Sequence, residues 1–178
     1  MEAALPDVAA VVEGAAADGL RARRADGTAT WAASATFDSV ALSTAVYLLD
    51  TNIVSELRKP RPNPKVVAWL QDVEDSDLHL SAVTVGEIQA GIEMTRTQDP
   101  VKAEELEAWA DQVADSYNVL AMDAVCFRRW AKLMHRQSST VYEDAMIAVT
   151  ALVHDLTVVT RNVRDFSRFD VRVLNPFE

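Results

Sequence analysis

The chain has 178 residues, 49% of them hydrophobic, a formal net charge of −10 and one cysteine, Cys126. That length suffices for one domain with a real core, and no apolar run approaches the roughly 20 residues a membrane-spanning helix needs. The lone cysteine excludes an internal disulfide, so a reducing cytoplasm is the expected setting. The acidic balance argues against a protein that coats nucleic acid in general, yet it is compatible with a nuclease whose acidic site is neutralised by bound cations.

Residues 1–45 differ in character from the rest: rich in Ala, Gly, Ser and Thr, with Arg21, Arg23 and Arg24 clustered and no sustained periodicity. Residues 7–17 support at most a marginal alanine-rich helix. Glu2 and Asp7 stand where a signal peptide needs positive charge, and Glu13 interrupts its apolar stretch. The expectation is a weakly ordered extension. A further hypothesis starts translation at Val46, read from a valine codon; a native peptide from residues 1–45, detected by mass spectrometry, would overturn it.

From residue 46 onward, strand and helix signals alternate, the pattern of an α/β sandwich. Val46-Tyr47-Leu48-Leu49 reads as a short buried strand. Residues 52–58 follow as a short helix, stopped by Pro60, Pro62 and Pro64, and residues 65–73 as a second. Leu78-His79-Leu80 is a strand, after which Ser81 caps a helix running through Glu87 to Met94. Residues 101–117 are amphipathic, with Leu106, Trp109, Ala110 and Val113 on the apolar face. Val119-Leu120 is an edge of sheet, and residues 123–136 are a helix on which Cys126 packs between Val125 and Phe127. Residues 144–154 are apolar almost all round, as a buried helix is. Residues 157–160 and 171–173 are the last strands.

The first strand ends on Asp50, followed by Thr51-Asn52. A carboxylate at the carboxyl end of a parallel strand sits where open α/β sheets place their ligands. Three more acids occupy comparable positions: Glu87 in the first turns of its helix, Asp144 where a loop meets a helix, and Asp165 a few residues beyond a strand. Four carboxylates within about 5 Å repel by several kcal/mol per pair at an effective dielectric near 20, so some would stay protonated with raised pKa values. Mg²⁺ or Mn²⁺ removes the conflict, since both take oxygen ligands, and such ions activate water and stabilise a phosphodiester's developing charge. Zinc is disfavoured, because His79, His135 and His154 show no ligand spacing with Cys126. Each acid also has a plainer role open to it: Asp50 and Asp144 as helix caps, Glu87 as a surface residue, Asp165 as a loop acid. Glu56 and Glu143 read as solvated neighbours, and His135 and His154 as helix-surface residues.

Four ordered segments together resemble one family. Tyr47-Leu48-Leu49-Asp50-Thr51-Asn52-Ile53-Val54-Ser55-Glu56-Leu57-Arg58 is similar to the opening motif of PIN-domain ribonucleases, closest to the VapC/FitB-like toxins. Val85-Gly86-Glu87-Ile88 with Gly91-Ile92 resembles the second motif, and Glu143-Asp144-Ala145-Met146-Ile147-Ala148 with Thr150-Ala151 the third. Leu156-Thr157-Val158-Val159-Thr160-Arg161-Asn162-Val163-Arg164-Asp165-Phe166 resembles the fourth. The resemblance covers residues 46–178.

The resemblance implies a PIN-like three-layer α/β/α sandwich around a mainly parallel sheet, and a Mg²⁺- or Mn²⁺-dependent endoribonuclease acting as the toxin of a type II toxin–antitoxin module. It implies catalytic and metal-holding roles for Asp50, Glu87 and Asp144. The fourth motif offers both Asn162 and Asp165; Asp165 is favoured for its charge, with Asn162 as a polar partner, and Thr51 and Asn52 support the first acid. RNA contact must come from local positive charge, for which the candidates are Arg161 and Arg164 beside the fourth acid, Arg128, Arg129, Lys132 and Arg136 on one helix, and Arg58 and Lys59. The implied partners are a cognate antitoxin, whose C-terminal segment wraps the toxin, a second copy in a homodimer, and promoter DNA held through the antitoxin. Trp109 and Trp130 are candidate partner surfaces or core residues. Two other classes stay open: a regulatory binding component with little catalysis, and a metal-dependent DNA nuclease or phosphatase.

Overall fold

The computed structural model describes residues 45–135 and 137–178. Residues 1–44 of the expected extension, and Arg136, lie outside the described residues. Five short strands, β1 (Tyr47–Leu49), β2 (Leu78–Ser81), β3 (Asn118–Leu120), β4 (Thr157–Val159) and β5 (Val173–Leu174), form one sheet in the order β3-β2-β1-β4-β5. Every pairing is parallel, with Leu48 opposite His79 on one side and Val158 on the other. The chain works outward from β1 to β2 and β3, then crosses back to lay β4 along the free side of β1. The order therefore reverses between β1 and β4, and their carboxyl ends flank the crevice where such sheets bind ligands.

Seven α-helices are described: α1 (Thr51–Leu57), α2 (Pro64–Asp72), α3 (Ala82–Arg96), α4 (Pro100–Ser116), α5 (Ala124–Leu133), α6 (Tyr142–His154) and α7 (Val163–Phe166). Local chemistry sets their starts. Asp50, Asn63, Ser81, Asp99 and Asp123 each accept a backbone N–H at a helix N-terminus, and Pro64 and Pro100 open their helices, where a missing N–H costs nothing. The end of α6 is fixed by Asp155 in the left-handed region, φ 57°. No described helix is long and apolar enough to cross a membrane.

Alternation along the strands divides the interior into two cores. Leu48 and Val158 face a layer built from Ala145, Ile147, Ala148 and Ala151 of α6 with Phe166 and Phe169. Leu49, Leu78, Leu80 and Val159 face the opposite layer, Ile53 and Val54 of α1, Val66 of α2 and Val113 of α4. A smaller cluster, Ile92, Ala103, Leu106 and Ala110, closes α3 onto α4. The expected α/β/α sandwich is thus present, with a wholly parallel sheet. Trp109 and Trp130 are half-buried against these clusters, and Cys126 is fully buried, its thiol raised in pKa by desolvation. The expected helix starts fall within one residue of the observed ones except at α6, and the single turn α7 was not expected. A 3₁₀ turn, Ser139–Val141, leads into α6, which begins at Tyr142, so Asp144 is not a cap.

Leu48 is fully buried at the centre of the sheet, whereas Val119 on the edge strand is 40% exposed. In urea unfolding, Leu48→Ala is expected to cost about 2–5 kcal/mol and Val119→Ala about 0.5 kcal/mol or less. Equal losses in the two variants would contradict this layer assignment.

Candidate active site

Asp50 follows β1 directly, and its amide donates to the Val159 carbonyl at 3.0 Å, extending the β1–β4 ladder past the strand end. The residue is 4% exposed, and its carboxylate accepts three hydrogen bonds. The Thr51 amide donates to Oδ1 at 2.7 Å; Oδ2 accepts from the Asn52 side-chain amide and, at 2.6 Å, from the Thr160 hydroxyl. Burial pushes the Asp50 carboxyl above its ordinary range, while the bonds from Thr160, Thr51 and Asn52 act in the opposite sense.

Thr160 stands one residue beyond β4, the position Asp50 occupies beyond β1. Besides donating to Asp50, its hydroxyl accepts from the Asn52 side chain and from the Asn162 backbone N–H, both at 2.9 Å. One donor and two acceptor sites are thereby all used. Asn52 completes the knot by accepting from the Arg161 backbone N–H at 3.0 Å. Sequence reasoning passes over Thr160, because it reads as the last β-branched residue of a buried strand. The signal that could have found it is its strand-end register with Asp50.

Glu87, in the second turn of α3, accepts from the Thr51 hydroxyl at 2.5 Å. Burial raises its pKa most, the Thr51 bond opposes this, and the charges of Asp50, Asp144 and Glu143 raise it further. Asp144, in the first turn of α6, is raised by burial and then by Asp50, Asp165 and Glu143, with Arg168 acting against them. Glu143 is exposed, as its solvated reading requires, yet its charge reaches both Glu87 and Asp144. Asp165 adds its charge to the group and faces Arg168 at 3.6 Å. Arg168 is a second residue that sequence reasoning misses. Asn162 enters through its backbone: its N–H goes to Thr160 and its carbonyl to the Asp165 amide at 3.0 Å.

The four acids thus stand on four separate elements around one crevice, and burial together with the charges of neighbouring acids raises the proton affinity of Glu87 and Asp144. Among the described residues no three acidic, histidine or cysteine side chains close into a ready-made cage. The donors the acids offer are all oxygen, the kind Mg²⁺ and Mn²⁺ take, and Mg²⁺ keeps several waters and uses one or two carboxylates together with substrate phosphate.

The candidate cations divide. Arg161 lies 5.2 Å from the Phe177 ring centroid, and Arg164 is exposed beside Asp165. Arg128, Arg129 and Lys132 are exposed on α5, but Arg129 donates to the Leu152 carbonyl at 3.1 Å. That is about 12 Å along α6 from Asp144 at ~1.5 Å per residue, so Arg129 belongs to the far end of the helix. Glu56, expected to be solvated, is instead buried, accepting from the Asn63 amide and paired with Lys59 at 2.5 Å, whereas Arg58 lies over the Trp109 ring, 5.7 Å from its centroid.

A family model described as the PIN domain matches residues 47–172, and the chain is 36% identical to toxin FitB of Neisseria gonorrhoeae over 137 residues, 73% of this chain and 97% of that one. This chain belongs to the PIN-domain family, on its VapC/FitB-like branch. It is also 33% identical over 142 residues to VapC ribonuclease Y4jK of Sinorhizobium fredii, covering 74% of this chain and 97% of the relative. Among solved structures, FitAcB from Neisseria gonorrhoeae superposes with a TM-score of 0.66 at 33% identity over 75% of this chain and 99% of the other. FitAB bound to an IR36 DNA fragment gives 0.65 at 32% identity, covering 75% and 96%.

The raised carboxyls of this PIN domain make a pH prediction. Between the ordinary carboxylate pKa, near 4, and the raised native values, the folded state holds more protons than the unfolded chain, so stability falls as pH rises through that window. In chelator, Tm is therefore expected to drop on going upward from about pH 4, with a shallower drop in Asp144→Asn. Parallel Tm profiles for the two proteins would refute a raised proton affinity at Asp144.

Proposed function

We propose that this chain is a Mg²⁺- or Mn²⁺-dependent endoribonuclease and the toxin of a type II toxin–antitoxin pair. The observation that carries this reading is the convergence of Asp50, Glu87, Asp144 and Asp165 on the β1–β4 crevice, each of the first three raised in pKa by burial and two of them also by the other acids. The ribonuclease name of its Sinorhizobium relative supports the substrate class.

Asp50 and Asp144 are the principal ion-holding groups. Asp50 is immobilised by Thr51, Asn52 and Thr160, which direct its oxygens without consuming all their lone pairs. A bound divalent ion supplies charge stabilisation for the phosphodiester and an acidified water. Glu87, oriented by the Thr51 hydroxyl and raised in proton affinity by burial, would serve as the proton acceptor for a water at the scissile phosphodiester. Asp165 completes the acid set at the entrance, with Arg168 limiting its repulsion against Asp144. Arg161 and Arg164, flanking the fourth acid, offer the positive charge that a strand approaching an acidic protein needs.

The same reading gives the protein a cognate antitoxin, a homodimeric state and promoter DNA engaged through the antitoxin; its solved relative FitAB is bound to an IR36 DNA fragment. A basic antitoxin side chain in the acidic crevice would replace a cation electrostatically, inhibiting without a change of fold.

Antitoxin-free protein is expected to cleave total RNA with Mg²⁺ or Mn²⁺ and not in chelator. Asp50→Asn and Asp144→Asn should abolish cleavage, and Thr160→Val should lower metal affinity or activity by about 10- to 100-fold. Mg²⁺ should raise the Tm of the wild type more than that of Asp144→Asn, since it binds only the native site. Full cleavage by either Asp variant would remove that residue from the mechanism.

A further inference from the structure

A groove runs away from the acids between α1, α3 and α4. Thr51 and Glu87 form its inner wall, Ile88, Ile92 and Leu106 line it with apolar surface, and Arg58 and Trp109 bound it. Its volume is ≈ 170 Å³, close to the roughly 150 Å³ of an engineered cavity that takes up benzene and below the roughly 300 Å³ at which pockets for drug-sized ligands begin. That is about the space one planar ring system needs. Arg58 lies against the Trp109 ring and, among the described residues, has no carboxylate partner. A guanidinium backed by an indole is a flat cationic platform of the kind on which unstacked bases rest.

Gly91 lines the same groove. Its backbone is helical and its φ is not positive, and a Cβ built there meets no atom within 4 Å. Neither conformation nor packing asks for glycine, the poorest helix former after proline. What the missing side chain preserves is open space beside Glu87.

We propose that this groove is a nucleobase subsite, in which the ring next to the cleaved phosphodiester leaves its stack and lies between Gly91 and the Arg58–Trp109 platform. The proposal rests on the ribonuclease reading and adds to it the position at which the strand is gripped. The phosphate sits at the acidic end, where Thr51 and Glu87 belong to both sites, and Arg58 at the outer end meets the strand's negative charge.

The test is fluorescence anisotropy of a labelled single-stranded hexaribonucleotide with Ca²⁺, comparing wild type, Gly91→Leu and Arg58→Ala. Gly91→Leu fills the groove from a helix whose propensity it improves, so its Tm is expected to stay or rise. Both variants should weaken binding by roughly 5- to 150-fold, the loss that removing one base stack gives. Single abasic sites walked through the oligonucleotide should reveal one position that weakens binding to wild type and weakens it no further in Gly91→Leu. Unchanged affinity in both variants would overturn the subsite and leave the groove to a protein segment. Base-dependent binding by a wild type that cuts no RNA with Mn²⁺ would uphold the groove and count against the ribonuclease reading. A wild type that binds no RNA would overturn both.

Discussion

Like charges confined to a low-dielectric crevice govern this protein. Asp50, Glu87 and Asp144 all have their proton affinity raised by desolvation, and the charges of neighbouring acids raise that of Glu87 and Asp144 further. A fold can hold such a group only if the backbone carrying it is rigid and the least exposed member is anchored by neutral donors. Asp50 meets both conditions. It is tied into the sheet ladder through its own amide, and its oxygens accept from an amide, a carboxamide and a hydroxyl. Neutral donors restrain the carboxylate while leaving its charge uncompensated, which is the state a cation or a phosphate-bound ion requires.

The scaffold is economical about where this happens. Two cores of opposite side-chain parity clamp β1 and β4 from above and below, and the reversal of strand order puts the crevice between these two strands. The elements that deliver the remaining acids differ in how firmly they are held. Glu87 and Asp144 ride on helices packed against those cores, whereas Asp165 sits on the single turn of α7, half-exposed and balanced by Arg168. A gradient of burial from Asp50 to Asp165 thus runs from the sheet to the solvent, the direction along which a substrate would enter.

Much of this architecture was legible in the residues, for identifiable reasons. Strand-helix alternation and the acid following Leu49 are local signals, and they survive into the structure because parallel strands read as apolar runs with functional groups at their ends. Glu87 and Asp144 were legible as candidates from their places at element ends, and the resemblance sharpened their roles, since an acid on a helix carries no mark of which neighbours it faces. Thr160 was invisible because a β-branched residue closing a strand looks like a propensity effect, and its bonds to Asp50 and Asn52 join residues more than a hundred positions apart. Arg168 and the pairing of Lys59 with Glu56 are side-chain choices that periodicity does not encode. The helix start at Tyr142 escaped notice because its cap position is Val141, which makes no side-chain capping bond.

The long reach of the Asn52–Thr160 and Asp50–Thr160 bonds also sets a timetable for synthesis. β1 lies at the centre of the sheet, but its β4 neighbour is the second-last strand in the chain. Until residues near 160 have left the ribosome, Asp50 has neither its hydroxyl donor nor the Val159 carbonyl that fixes its backbone, and Asp144 has only just been made. Domains acquire their long-range pairings late because loop closure must precede them. A nascent chain of this kind carries Asp50 long before it has a site, and remains without one for most of its translation.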